Sequence, residues 1–232
     1  MKTLVITGAS KGIGLALARL CLDADYRVIN LSRTPAPDAR IDNLQIDLAS
    51  PQAEADLAEM LKTRLIPGEI VLVHNAASLN NDRTDETSTA AFRDVMAVNL
   101  TGPHLVNQLV IPAMQSDSSI IYVGSTLSEK AVPNAYTYVV SKHAMIGMMR
   151  ATCQDLAGRG IHTACICPGF TDTEMLRAHV GEDPETLKAI ASMSSFDRLV
   201  RPAEIAATIK FAMDNPVING SVIHANLGQR ES

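Results

Sequence analysis

Lys2-Thr3-Leu4-Val5-Ile6-Thr7-Gly8-Ala9-Ser10-Lys11-Gly12-Ile13-Gly14 joins an apolar run to a glycine-rich turn, and a segment of helical period follows. Residues 2–7 read as a strand and residues 12–23 as a helix. Glycine lets the backbone turn tightly and lets an anionic group come close. A helix that starts near Gly12 offers its unpaired first-turn amides to such a group. The spacing Gly8-x-x-x-Gly12-x-Gly14 is neither G-x-G-x-x-G nor a phosphate loop of the G-x-x-x-x-G-K-[ST] type. A purely structural turn is the alternative, but the strand before it and the helix after it favour a nucleotide site.

The same alternation continues outward from this turn. Strands are expected at 26–31, 44–46, 70–74, 119–123, 161–167 and 221–224, and helices at 51–65, 88–114, 135–157 and 202–213. Pro51 and Pro202 suit a first helical turn. Thr87 or Ser88 is a candidate cap. Gly102-Pro103 is expected to kink the long helix, because proline has no amide hydrogen. The pattern predicts an α/β fold of βα units, a doubly wound parallel sheet of about seven strands with helices on both faces. Residues 172–201 carry no strand signal and follow a strand end, where ligands bind in open α/β sheets. One or two short mobile helices covering the site are expected there, within a single NAD(P)-binding domain spanning 1–232.

Bulk properties narrow the function. A chain of 232 residues is long enough for a substantial core and is most simply one domain. With 47% hydrophobic and 19% charged residues the composition argues against disorder. A net charge of −5 gives no electrostatic case for nucleic acid. Cys21, Cys153, Cys165 and Cys167 form no Cys-x-x-Cys pair; Cys165 and Cys167 point the same way on a strand and read as adjacent buried thiols rather than zinc ligands. This usage fits a reducing compartment, hence the cytoplasm. The apolar start at 4–6 is too short for an export signal. No apolar run reaches a membrane span, and the tail Gln229-Arg230-Glu231-Ser232 matches no address signal. The six histidines, at 74, 104, 143, 162, 179 and 224, share no ligand spacing, so no metal is expected. Ser125 lacks a G-x-S-x-G elbow, which speaks against a hydrolase.

Two further stretches carry chemistry. Tyr138-Val139-Val140-Ser141-Lys142 sets a phenol and an ammonium four residues apart, on one face of a helix, with Ser125 thirteen residues before the tyrosine. A free phenol titrates near about pH 10, and bringing it to neutrality takes about 4 kcal/mol. A neighbouring cation favours the phenolate, so Lys142 is expected to lower the Tyr138 pKa. Tyr136, whose +4 residue is Val140, has no such partner and reads as a structural phenol. Met145, Met148 and Met149 read as a packing stripe. The second stretch is Asn30-Leu31-Ser32-Arg33, at the end of the second strand. An NAD site would put a carboxylate there; Asp23 and Asp25 lie at the wrong end of the strand. Arg33 presents a planar fork suited to the extra phosphate of NADP, and Ser10 and Lys11 can approach the same group. NADP(H) is therefore expected over NAD(H), the alternative being that Arg33 is a solvated surface residue.

Taken in order, these residues resemble the short-chain dehydrogenase/reductases, in their small single-domain branch. The similarity covers nearly the whole chain. It comprises Thr7-Gly8-x-x-x-Gly12-x-Gly14, Asp47, Asn75-Ala76, Asn99, Ser125, Tyr138-x-x-x-Lys142 and Pro168-Gly169-x-x-x-Thr173. The resemblance implies a Rossmann-type sheet and reversible hydride transfer between NADPH and a carbonyl or alcohol. Gly8, Ser10, Lys11, Gly12, Ile13, Gly14, Ser32 and Arg33 would hold the phosphate-bearing end of the cofactor. Asp47 and Leu48 would meet the adenine, although a lone aspartate ahead of Pro51 also suits a helix cap. Asn75 and Ala76 would line the cofactor channel. The backbone at Pro168, Gly169 and Thr171, with the Thr173 hydroxyl, would face the nicotinamide and pyrophosphate. Tyr138 would act as general acid and base, Ser125 would hold the substrate oxygen, and Lys142 would also bind the nicotinamide ribose. Asn99 would hold a water through its backbone and complete a proton relay. A homodimer or homotetramer is implied as well.

Two departures from the family pattern stand out: His74-Asn75-Ala76-Ala77 where Asn-Asn-Ala-Gly is usual, and Asn226-Leu227-Gly228 where Asp-Gly-Gly is frequent. A catalytically silent NADP-sensing regulator is the alternative function. An epimerase or dehydratase of the larger branch is disfavoured by the short C-terminal region and the glycine spacing. Substrate identity stays open. The 172–201 segment holds Arg177, Lys188 and Arg198 beside Met175, Leu176, Met193 and Phe196, so it excludes neither an anionic nor an apolar substrate.

Overall fold

Seven parallel strands form one sheet in the order β3-β2-β1-β4-β5-β6-β7 in the computed structural model, which describes residues 2–230. Met1 and the tail residues Glu231 and Ser232 lie outside the described residues. The strands are β1 (Thr3–Thr7), β2 (Arg27–Ser32), β3 (Asp42–Gln45), β4 (Ile70–His74), β5 (Ser119–Val123), β6 (His162–Pro168) and β7 (Ser221–Ala225). β1 pairs with β2 on one side and β4 on the other, so the strand order reverses at β1. Such a reversal opens a crevice at the carboxyl ends of the strands.

Side-chain alternation along each strand divides the core into two layers. Val5 of β1 points to one face, with Leu57, Val106 and Met145, while Leu4 and Ile6 point to the other, with Leu17 and Ile209. The first face is covered by α2 (Ala53–Lys62), α4 (Gly102–Val110) and α5 (Tyr136–Asp155), the second by α1 (Gly12–Leu22) and α8 (Pro202–Asp214). Each fully buried aliphatic side chain contributes about 1.5–3 kcal/mol, so a charge at Val5, which has no accessible surface, would break the first layer. Met145 and Met149 are fully buried and Met148 packs at the layer's margin, in keeping with a packing stripe.

The expected helix over 88–114 is interrupted. Ser88 caps α3 (Thr89–Met96) by accepting from the Ala91 amide at 3.2 Å. A π-turn over Ala97–Thr101 follows, then α4 and a 3₁₀ turn over Ile111–Ala113. Pro103 has no hydrogen to give the Asn99 carbonyl four residues back, and the Gly102 amide reaches five back, to Ala97. The irregularity therefore begins a turn before the Gly-Pro pair. α2 starts two residues after Pro51, because Pro51 and Gln52 sit in a turn.

Residues 172–201 form two short helices, α6 (Glu174–Val180) and α7 (Pro184–Ala191). The ends of this segment meet: the Val200 amide donates to the Phe170 carbonyl at 2.8 Å and the Asp172 amide to the Val200 carbonyl at 2.9 Å. Arg198 closes a two-pronged ion pair on Glu204 of α8, both bonds 2.8 Å. The chain after β7 is tied to the same segment through Ser195 to the Leu227 carbonyl (3.0 Å) and Arg230 to the Met193 carbonyl (2.7 Å).

Candidate active site

A cleft of about 850 Å³ opens at the carboxyl ends of the strands, from the glycine turn to the start of α5. Gly8, Ser10, Lys11, Gly12, Ile13, Ser32, Arg33, Asp47, Leu48, Asn75, Ala76, Ser125, Tyr138, Lys142, Pro168, Gly169, Thr171 and Thr173 all line it. Gly14 and Asn99 do not; both stand behind its wall.

The glycine turn is held by side chains from two other strands. The Thr7 hydroxyl accepts from the Asn75 and Ala76 amides, each at 3.0 Å. The Asn75 amide group donates to the carbonyls of Thr7 (3.1 Å) and Gly8 (2.8 Å). Asn75 therefore braces the turn as well as lining the cleft. Gly8 sits at φ +74°, which disfavours any side chain. A β-carbon at Gly14 would lie 2.3 Å from the Gly8 carbonyl oxygen, so this glycine allows the helix to pack against the turn. Asn30, fully buried, accepts from the Ala9 amide at 2.9 Å and donates to Ser32 and Asn43 at 2.9 and 2.8 Å.

This arrangement fits a phosphate-bearing nucleotide. α1 begins with no side-chain cap and no acid in its first turn, leaving its amides for an anion. Lys11 and Arg33 are exposed on the cleft wall, and among the described residues neither forms an ion pair. No carboxylate stands at the end of β2, where Ser32 is followed by Arg33 and Thr34. Asp47 does not cap α2, whose N-cap is Gln52; its carboxylate closes a local turn by accepting from the Ala49 amide at 3.0 Å.

At the other end, Tyr138 is buried, and it lines the cleft together with Ser125, whose hydroxyl bears on its titration. Ser125 caps the 3₁₀ turn over Thr126–Ser128, accepting from the Leu127 amide at 3.1 Å, which fixes its side chain. The Lys142 ammonium lies 5.4 Å from the centre of the Tyr138 ring and donates to the Val123 carbonyl at 2.7 Å. The sequence expectation for titration is reversed. Burial pushes the Tyr138 phenol up to about 12, with the nearby Ser125 hydroxyl opposing, and Lys142 does not offset it. The same burial pushes Lys142 down to about 8. In a closed, apolar setting the cost of any charge outweighs the attraction between neighbours.

Asn99 commits its whole side chain to bracing. It accepts from the Ser78 amide (2.7 Å) and donates to the Ser78 carbonyl and the Ser141 hydroxyl, both 2.9 Å. Ser141 in turn bonds the Tyr138 carbonyl at 2.8 Å. Asn99 thus ties the cleft wall to the helical turn that carries the tyrosine. Under this floor Cys165 and Cys167 are fully buried, their sulfurs 3.8 Å apart, packed against Gly124.

Thr7, Asn30 and Ser141 are bracing residues that sequence reading did not single out. For Asn30 a signal was available: it is a polar side chain inside an otherwise apolar buried run, where hydrogen bonding is obligatory. Of the two departures, His74 faces away from the cleft, its Nε2 2.8 Å from Asn107 Oδ1. Ala77 lines the cleft. Leu227 takes φ +54° in the C-terminal turn, a left-handed conformation that glycine adopts more easily.

Comparison with known proteins accords with this geometry. The family model described as enoyl-(acyl carrier protein) reductase matches residues 8–230. A putative ketoacyl reductase of Streptomyces coelicolor is 30% identical, over 89% of this chain and 88% of its own. Among solved structures, 4-hydroxyisoleucine dehydrogenase complexed with NADH superposes with a TM-score of 0.89 at 25% identity, covering 98% of each chain. The angucycline C-6 ketoreductase LanV with bound NADP does so at 0.85 and 27%, covering 98% of this chain and 95% of its own. With this sheet order, this cleft and these relatives, the chain belongs to the short-chain dehydrogenase/reductase family of oxidoreductases.

Proposed function

We propose that the protein is an NADP(H)-dependent oxidoreductase that interconverts a carbonyl and an alcohol, with Tyr138 as its general acid and base. The observation that carries this reading is one cleft with a Ser125–Tyr138 hydroxyl pair at one end and two uncommitted cations, Lys11 and Arg33, at the other. When bound, the dinucleotide would supply or accept the hydride.

Gly8, Gly12, Ile13 and Thr173 would seat its pyrophosphate, and Ser10, Lys11, Ser32 and Arg33 its extra phosphate. Asp47 and Leu48 would meet the adenine, and Asn75, Ala76, Pro168, Gly169 and Thr171 the remainder. Ser125 and Tyr138 hold the substrate oxygen between two hydroxyls. Burial keeps Tyr138 protonated, so it enters reduction ready to hand a proton to the oxygen as negative charge develops there. Lys142, which donates to the Val123 carbonyl here, would bind the ribose, and the Asn99 backbone would hold the water that returns the proton. The relatives named above have been seen with either dinucleotide, so the preference for NADP(H) rests on Arg33 and the missing carboxylate.

The α6–α7 segment, 172–201, acts as a substrate lid on a domain spanning 1–232. The protein works as a homodimer or homotetramer, which a mass measurement in solution tests, and in the cytoplasm, where its four free thiols stay reduced. A panel of carbonyls and alcohols, run with NADPH and NADH and followed by cofactor absorbance, tests the activity. Tight NADPH binding with no turnover across the panel would favour the silent regulator instead.

A further inference from the structure

Past Tyr138 the cleft continues into a space that the proposed cofactor residues do not claim. Its walls come from the loop over 129–135, from α6 and from the chain after α7. Val132, Met175 and Met193 line these three walls and are 48%, 38% and 37% exposed. Only eight large apolar side chains are so exposed among the described residues, and three of them meet at this opening. Convergence of exposed apolar groups from separate segments marks a binding surface rather than chance exposure. Leu79, Leu127 and Leu176 continue the apolar lining.

Polar side chains on these walls are few. Lys130 is engaged, and Arg230 stands 3.9 Å from Asp197. Gln229 turns its Oε1 inward against Gly169, buried and without a partner, leaving Glu174 and His179 of α6 as the remaining polar side chains on these walls. A sugar would bring several hydroxyls to walls with few groups to meet them, and each hydroxyl buried unpaired lowers affinity roughly tenfold or more. An apolar body gains roughly fourfold for each methylene it buries.

We propose that the substrate is a ketone, or the matching alcohol, carried on an extended apolar chain or ring system that lies between Val132, Met175 and Met193. This rests on the oxidoreductase reading of Tyr138 above. The test is kcat/KM with NADPH for a series of 2-alkanones from butanone to 2-decanone, beside an aldohexose and a ketohexose, in both directions and with both cofactors. The series is expected to climb by roughly fourfold per methylene until the walls are filled. A flat series, or a sugar that outperforms the longest ketone, overturns the apolar-substrate inference while leaving the oxidoreductase intact. No turnover of any compound overturns both. Val132→Asp and Met193→Asp, whose folding is checked by thermal melting, should cut the longest ketone by roughly tenfold or more and butanone far less. Equal losses on both would show that these side chains do not contact the apolar body.

Discussion

The Lys142 ammonium lies 5.4 Å from the Tyr138 ring centre, yet its hydrogen bond goes to the Val123 carbonyl. Helical spacing makes the two side chains neighbours, and burial decides how they titrate. Replacing Tyr138 by Phe removes the hydroxyl and little else. Turnover should fall at least about a hundredfold, while NADPH binding, followed by fluorescence, stays within about twofold because ring packing persists. A variant that keeps wild-type turnover would remove Tyr138 from the chemistry.

Arg33 offers a charged fork at the place where a carboxylate would select the ribose hydroxyl. A charge-assisted hydrogen bond contributes about 1.5–3 kcal/mol. Arg33→Ala should therefore weaken NADPH by about tenfold or more, with NADH little changed. Titration of both cofactors checks this, and equal weakening of the two defeats the phosphate role.

His74 gives the fold a pH dependence of definite sign. Burial lowers its pKa to about 4 from the ordinary 6.5. Between those values the unfolded chain binds a proton that the folded chain refuses, so stability rises with pH through this window and levels off above it. The full difference is about 3 kcal/mol. Denaturant midpoints at several pH values should show the slope, and His74→Asn should flatten it. Identical profiles for the two proteins would assign the slope to other groups.

At Gly14 a β-carbon would meet the Gly8 carbonyl at 2.3 Å and the Asn75 side chain at 2.6 Å. Gly14→Ala should destabilise the protein by about 1–3 kcal/mol. NADPH affinity should fall too, since the turn must open. Calorimetry with and without NADPH reads both effects, and an unchanged Tm would mean that the turn yields more easily than its contacts imply.

Much of the fold is legible in local pattern. Ile70–His74 and Ser119–Val123 lie where the short apolar runs put them, because turn residues bound each run on both sides. The interruption at Ala97–Thr101 is less legible, since it depends on which carbonyls the missing Pro103 hydrogen leaves behind and on Leu48 packing against Gly102. Most of the candidate site residues line one cleft because chemistry-bearing types cluster after strand ends. The titration of Tyr138 was not readable. Spacing along a helix says which groups are near, while the desolvation that outweighs their attraction comes from distant segments that only the fold brings together. The partners that Thr7, Asn30 and Asn99 brace against were hidden for the same reason, as they lie up to 69 residues away.

Phe170 and Val200 are joined by a backbone hydrogen bond although thirty residues separate them. A segment whose two ends already touch can be exchanged for another of different length at a small cost in loop-closure entropy, since that cost grows only slowly with length. The α6–α7 region is in this sense a cassette. An exchange that keeps Thr173 against Gly12, and the ties of Met193 and Ser195 to the chain after β7, leaves the sheet order as it is, so the barrier to acquiring a new specificity here is set by side-chain chemistry and not by topology.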